Sequence, residues 1–195
     1  MKTLIPLSFL ITSTLFLTSC DDYKSVNTFK NPSFETTREN KPTIAKNWFS
    51  SQHAGVTAYN FQVDNTVAHT GKSSFKVHQF RDQVYGMVRQ HVRLPKPNNK
   101  TFVFTAMLKT KDIIAGDGWR LVVNCRAEDG YINKQYQSEP ITGTKDWTKV
   151  ELKGLIPEGT VKLEAGIMLQ SLGTGWVDDV DLRFDPPAKK EEKNN

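Results

Sequence analysis

Asp178, Asp179 and Asp181 fall within four positions of GTGWVDDVDLRF, residues 173–184, a run whose other members are mostly apolar and strand-like. Two carboxylates suffice in type for acid and base work on a glycosidic bond. On a regular strand, Asp179 and Asp181 would share a face roughly 6.5–7 Å apart, near the separation that inverting hydrolysis uses. That chemistry also needs a cleft and one carboxyl with a raised pKa, whereas a closing sandwich strand ordinarily offers a solvated face. The expectation is therefore no catalytic residue here, and a protein that is not an enzyme.

Other catalytic templates fail on spacing. His53, His69, His78 and His91 lie in unrelated segments without HExxH or close metal-ligand spacing. Gly71-Lys72-Ser73 ends like a phosphate-binding loop, but Thr66 stands where the first glycine belongs and no helix follows, so the stretch reads as a turn. There is no GxSxG. Cys125 sits in the apolar alternation of LVVNCRA without an evident base, as a buried, inert thiol would.

The elements that must position these residues are strands. From Phe29 onward, short runs rich in Val, Phe, Thr and Trp alternate with period two and are broken by Gly, Pro, Asn and Asp. The runs are 29–35, 47–50, 56–63, 73–80, 84–94, 101–110, 118–128, 131–138, 147–154, 160–170 and 174–184. Turn signals between them include HTGK, PKPNN, AGDG, EDG and PEG. The chain is read as all-β, a sandwich or barrel. Alternation assigns Phe102, Phe104, Ala106 and Leu108 to the core. It does the same for Trp119, Leu121, Val123 and Cys125, and for Val161, Leu163, Ala165, Ile167 and Leu169. The opposite faces carry Met107 and Lys109, then Arg120, Asn124 and Arg126, then Lys162, Glu164, Met168 and Gln170, a polar and partly cationic surface.

Residues 1–20, MKTLIPLSFLITSTLFLTSC, place one basic residue before an uncharged, mostly apolar stretch, as a secretion signal does. Leu17-Thr18-Ser19-Cys20 resembles the bacterial lipobox. That resemblance implies cleavage of a signal peptide at 1–19 and acylation of Cys20, palmitate included, with residues 20–27 as a tether. It places the protein in the bacterial cell envelope, lipid-anchored. Asp21 favours the inner membrane facing the periplasm in some lineages, with the outer membrane or surface as the alternative. Cys125 is then left without a disulfide partner. The net charge of +5 loses only Lys2 with the leader, and the mixed-sign tail at 185–195 reads as disordered, not as a nucleic-acid arm. No nucleic-acid partner is expected.

Within 28–184 the motifs have an order. Asn31-Pro-Ser-Phe-Glu35, Trp48, HTGKSSFKV, Tyr85-Gly86, RQHVRLP, FVFTAMLKT, DWTKVEL, the IPEG turn and GWVDDVDL follow one another. This order resembles carbohydrate-binding modules with a galactose-binding-like jelly roll, a two-sheet β-sandwich. ITGTKDWTKVEL also looks like accessory jelly-roll domains of secreted hydrolases, which suggests an accessory subunit as a further reading. The first resemblance implies a structural calcium held by the carboxylates of Glu35 and of Asp178 or Asp179, with oxygens from Ser33 and from the Thr70 to Ser73 segment. Two carboxylates with carbonyls are a reasonable calcium shell; loop capping by the same acids is the alternative. The implied ligand is a glycan or other extracytoplasmic polymer. Tyr85, Arg89, Arg120, Asn124, Arg126 and Gln170 form the binding set if they line one concave sheet, with Tyr131 and Tyr136 beside it. Arginines favour an acidic glycan, because a guanidinium grips a carboxylate at two points. A docking surface for another envelope protein, with no sugar site, is the competing reading.

Overall fold

A computed structural model describes residues 27–94, 101–114 and 116–185. Cys20, the leader and the tail beyond Asp185 lie outside the described residues, as does all of the tether except Asn27. Among the described residues there is no helix, and none long and apolar enough to cross a membrane.

Among the described residues, twelve strands form two five-stranded antiparallel sheets and a small hairpin. The hairpin pairs β1 (Thr37–Arg38) with β2 (Lys41–Ala45). The first sheet draws on β4 (Tyr59–Asp64), β5 (Ser74–Gln79), β7 (Thr101–Ile113), β10 (Gly143–Leu155) and β12 (Gly173–Asp185), in the order β10-β7-β12-β5-β4. The second draws on β3 (Phe49–Gln52), β6 (Gly86–Arg93), β8 (Trp119–Arg126), β9 (Ile132–Gln137) and β11 (Lys162–Leu169), in the order β3-β6-β11-β8-β9. The consecutive strands β7 and β8 lie in different sheets. Every ladder within the two sheets is antiparallel.

The core lies between the sheets, where period-two alternation puts it. The core residues expected on β7 and β8 are all buried, as are Leu163, Ala165, Ile167 and Leu169 of β11. Val161 is only half-buried and precedes β11. Trp119 is fully buried and donates from Nε1 to the Trp176 carbonyl at 3.0 Å. Cys125 is fully buried, and burial pushes its thiol up to about 11, which removes the thiolate that reactivity needs.

Two expectations change. The segment 29–35 is not a strand but a turn, in which Asn31 and Phe34 take left-handed backbone angles, with φ of 55° and 56°, that break an extended run. Here the Asn31 amide caps the turn by donating to the Thr36 and Lys46 carbonyls. Phe34 is fully buried 4.8 Å from the Trp48 ring, so the segment plugs one end of the sandwich. The second change is in β12, where the register slips between Asp178 and Asp181 against β7 and Asp179 has φ 47°. This bulge breaks the simple alternation that put Asp179 and Asp181 on one face.

Candidate ligand-binding groove

On the outer face of the second sheet, strands β6, β11 and β8 run in register, so side chains stand in rows across them. Met168 pairs with Met87 and Arg120; Gly166 with Arg89 and Val122; Glu164 with His91 and Asn124. Met87, Val122 and Met168 are 4%, 1% and 8% exposed and form an apolar cluster separate from the main core, with Tyr85 packed against it. Gly166 is central. A Cβ there would meet the Val88 carbonyl oxygen at 2.1 Å, so the position has no room for a side chain and the sheet stays hollow above it. The result is a groove of about 380 Å³ with an apolar floor and polar walls.

The walls are organised by Glu164, a residue that sequence reasoning put on this face but not in the site. It is 6% exposed. Its Oε1 accepts from Asn124 Nδ2 at 3.0 Å, and its Oε2 lies 3.1 Å from His91 Nε2, 3.2 Å from Arg126 Nη2 and 3.4 Å from Arg89 Nε. Burial alone would raise its pKa. The Asn124, Arg126 and His91 hydrogen bonds and the Arg89 charge outweigh it and hold the carboxyl below its ordinary range. Asn124 Oδ1 in turn accepts from Gln135 Nε2 at 2.8 Å, and Gln135 Oε1 accepts from Gln137 Nε2 at 2.7 Å. Arg89 Nη1 donates to Ser51 Oγ on the edge strand.

Of the six expected ligand-binding residues, Tyr85, Arg89, Asn124, Arg126 and Gln170 line this one groove. Arg120 does not. Its guanidinium folds back onto the Asp117 carbonyl and carboxylate and donates to Gln137 Oε1 at 2.9 Å. Tyr136 also turns away, packing on Phe102 and donating to the Leu155 carbonyl at 2.6 Å. Tyr131 is 77% exposed. Phe49, an aromatic the sequence reading left unassigned, is 53% exposed on β3 opposite Arg89, its ring stacked 6.2 Å from His91. The signal for Glu164, His91 and Phe49 is positional: each sits in the outward register of a strand whose partners were already candidates.

The residues expected to hold calcium also assemble, at the β12 bulge. Asp178 is fully buried; Oδ2 accepts from the His69 and Thr70 amides at 2.8 and 3.1 Å, and Oδ1 from the Asp179 amide at 2.8 Å. Burial raises its pKa in spite of these three donors. Asp179 Oδ1 accepts from Ser33 Oγ at 2.9 Å and Thr70 Oγ1 at 2.6 Å, while Oδ2 lies 2.5 Å from His69 Nδ1. Burial acts against the Asp179 charge, but the Thr70, His69 and Ser33 hydrogen bonds lower its pKa. On the other side of the same turn, Glu35 Oε1 accepts from the Lys72 and Ser73 amides at 2.8 and 3.0 Å, and Ser73 Oγ donates to Asn65 Oδ1 at 2.9 Å. Both aspartates therefore serve the turn from one side, while Glu35 holds the other through the Lys72 and Ser73 amides. Calcium takes six to eight oxygen lone pairs, whereas here N–H and O–H groups engage the aspartate oxygens. Among the described residues no three His, Cys, Asp or Glu side chains are placed to hold a metal. As arranged, the set does not fit the ion and works as a hydrogen-bonded latch. Asp181, the other acid whose spacing could suit acid and base work, forms a 2.6 Å ion pair with Arg183.

No family model and no curated protein matches the chain. Solved structures do. A β-1,4-galactotriose complex of the carbohydrate-binding module TmCBM61 has a TM-score of 0.51 at 17% identity, covering 82% of this chain and 99% of that one. The fold is a two-sheet jelly-roll β-sandwich, and this module shares it. The xylan-binding module of Paenibacillus barcinonensis Xyn10C has a TM-score of 0.50 at 16% identity, covering 78% and 90%. The enzymatically active domain of tailspike protein 4 from bacteriophage CBA120 has a TM-score of 0.61 at 16% identity over 82% of this chain, but the chain spans only 22% of its length. At these identities the likeness shows the fold.

Proposed function

We propose that this chain is a non-catalytic, membrane-anchored envelope lipoprotein whose second-sheet groove binds a glycan or related extracytoplasmic polymer. The observation that carries the reading is the groove itself. Met87, Val122 and Met168 supply an apolar floor, Tyr85 an aromatic wall, and Arg89, Asn124 and Arg126 convergent hydrogen-bonding groups. A pyranose presents this combination of an apolar face and a polar edge, and such sites combine few polar groups with apolar surface. The galactotriose-bound and xylan-binding neighbours make glycan the natural ligand class for the fold. Anchoring rests on Cys20 and the leader, read from sequence.

The test is a glycan array probed with wild-type protein and a Tyr85→Ala, Arg126→Ala double variant. Binding by the wild type and a loss of tenfold or more in the variant supports the reading; no ligand for either overturns it. A second reading, docking of another envelope protein, draws on Val56, Val84 and Ile114, which are 60%, 56% and 60% exposed. Exposed apolar side chains of this kind mark interaction surfaces when they are contiguous.

A further inference from the structure

One register step beyond Glu164, the rows of the same sheet face become cationic. Lys162 of β11 pairs with Arg93 of β6 on one side and Arg126 of β8 on the other, and strand alternation turns all three outward with Glu164. Arg126 is committed to Glu164 and to the Gly130 carbonyl, at 3.2 and 2.8 Å. Arg93 is exposed and Lys162 half-buried, and neither has an ion-pair partner among the described residues. They flank a second hollow of about 190 Å³, which also includes the exposed Glu128. Counting Arg89, the cations of this face outnumber its carboxylates, Glu128 and Glu164.

We infer that the groove takes an anionic glycan, its apolar floor packing on sugar rings while Arg93 and Lys162 grip a carboxylate or sulfate at the groove's end. This inference rests on the glycan reading above and narrows it. The geometry distinguishes two kinds of arginine. Arg89 and Arg126 share the Glu164 carboxylate and are positioned by it, so they offer a ligand only their remaining N–H groups. Arg93 has its whole planar fork available for a two-point contact with an anion. Lys162, beside it on the next strand, adds a point charge that tolerates different ring orientations. A neutral glycan offers these residues only hydroxyl and ether acceptors, whereas a uronate or sulfated sugar adds a counter-charge.

The experiment measures binding of the mature chain to polygalacturonate, chondroitin sulfate, desulfated chondroitin and neutral β-1,4-galactan, each at low and moderate salt. An Arg93→Ala, Lys162→Ala double variant is compared with a Lys111→Ala, Lys149→Ala variant, which removes equal charge from exposed positions of the other sheet. The expected result is binding of an anionic polymer about tenfold tighter than galactan. That preference should fall about tenfold in the groove variant, stay unchanged in the control and weaken with salt. Chondroitin sulfate carries both a uronate and a sulfate, so tighter binding of it than of desulfated chondroitin identifies the anion as sulfate, and equal binding of the two identifies it as carboxylate. Equal binding of galactan overturns the inference and leaves the glycan reading intact. An equal loss in the Lys111, Lys149 control also overturns it, because the effect would then be bulk charge. No binding to any polymer removes both.

Discussion

Glu164 of β11 and Arg126 of β8 meet diagonally across the two strands, with Nη2 3.2 Å from Oε2. The same carboxylate oxygen is 3.1 Å from His91 Nε2 and 3.4 Å from Arg89 Nε. One buried carboxylate thus fixes two guanidinium groups and an imidazole across three strands. A charge-paired cluster of this kind is costly to break on one side, because the two arginines stay half-buried without their counter-charge.

Glu164→Ala should therefore destabilise the fold by about 1–3 kcal/mol. The pH dependence has a definite sign. The folded carboxyl lies below its ordinary range, so its contribution is fully present above the pKa of the unfolded chain. It is lost as pH falls through the folded value. Urea unfolding of wild type and Glu164→Gln should show a constant stability gap near neutrality that narrows below about pH 4.3, the ordinary glutamate value. A gap that persists undiminished to pH 3 would refute this role for the carboxylate.

The latch offers a test of backbone geometry. Gly71 has φ 64°, and a Cβ there would lie 2.3 Å from Glu35 Oε1, the oxygen that caps the Lys72 and Ser73 amides. Gly71→Ala adds a left-handed backbone penalty of about 1–2 kcal/mol to the displacement of that cap. Gly130, with φ 87° and nothing near its missing Cβ, carries the backbone penalty alone. Chemical denaturation should find Gly71→Ala the more damaging of the two by about 1 kcal/mol or more; equal losses would show that the Glu35 contact contributes nothing.

The strands and the core were legible in the sequence because alternation is a local signal. Phe102 to Leu108 and Trp119 to Cys125 declare their buried face within seven residues. The β12 bulge was not legible, because it is set by a long-range demand: Asp179 turns out of register to meet Ser33, His69 and Thr70. The left-handed Asn31 was hidden for a similar reason, its amide being held by Lys46, fifteen residues on. Arg120 shows the limit of parity at a site. It does lie on the outer face, yet Asp117, three residues away, captures its guanidinium. Glu164 was visible as an outward residue. Its role became visible only when the register set His91 and Asn124 on either side of it.

Metal dependence separates the latch from the calcium site that family resemblance implies. An ion that bound only the folded state at a hundred times its dissociation constant would contribute about 2.7 kcal/mol, enough to be seen in a melting curve. With the Asp178 and Asp179 oxygens engaged by N–H and O–H donors, chelation should leave the melting temperature unchanged. Adding calcium to metal-free protein should raise it by nothing measurable. A fall on chelation, restored by calcium, would mean that the ion displaces those donors.

The anchoring proposed at Cys20 makes a prediction independent of the groove. Acyl chains contribute about 0.8 kcal/mol per buried methylene, and stable attachment takes more than one chain. A diacylglycerol with an added amide-linked chain meets that requirement; the cationic face of the domain does not, since its attraction to anionic lipid is screened within a Debye length of about 8 Å at physiological salt. Wild-type protein should remain in the membrane fraction through a high-salt wash and partition into detergent. Cys20→Ala should move it to the soluble fraction with its melting temperature unchanged, because the described strands begin only at Thr37. If the variant stays on the membrane in low salt and leaves in high salt, attachment is electrostatic, and the arginine and lysine row on the second sheet becomes the surface to substitute next.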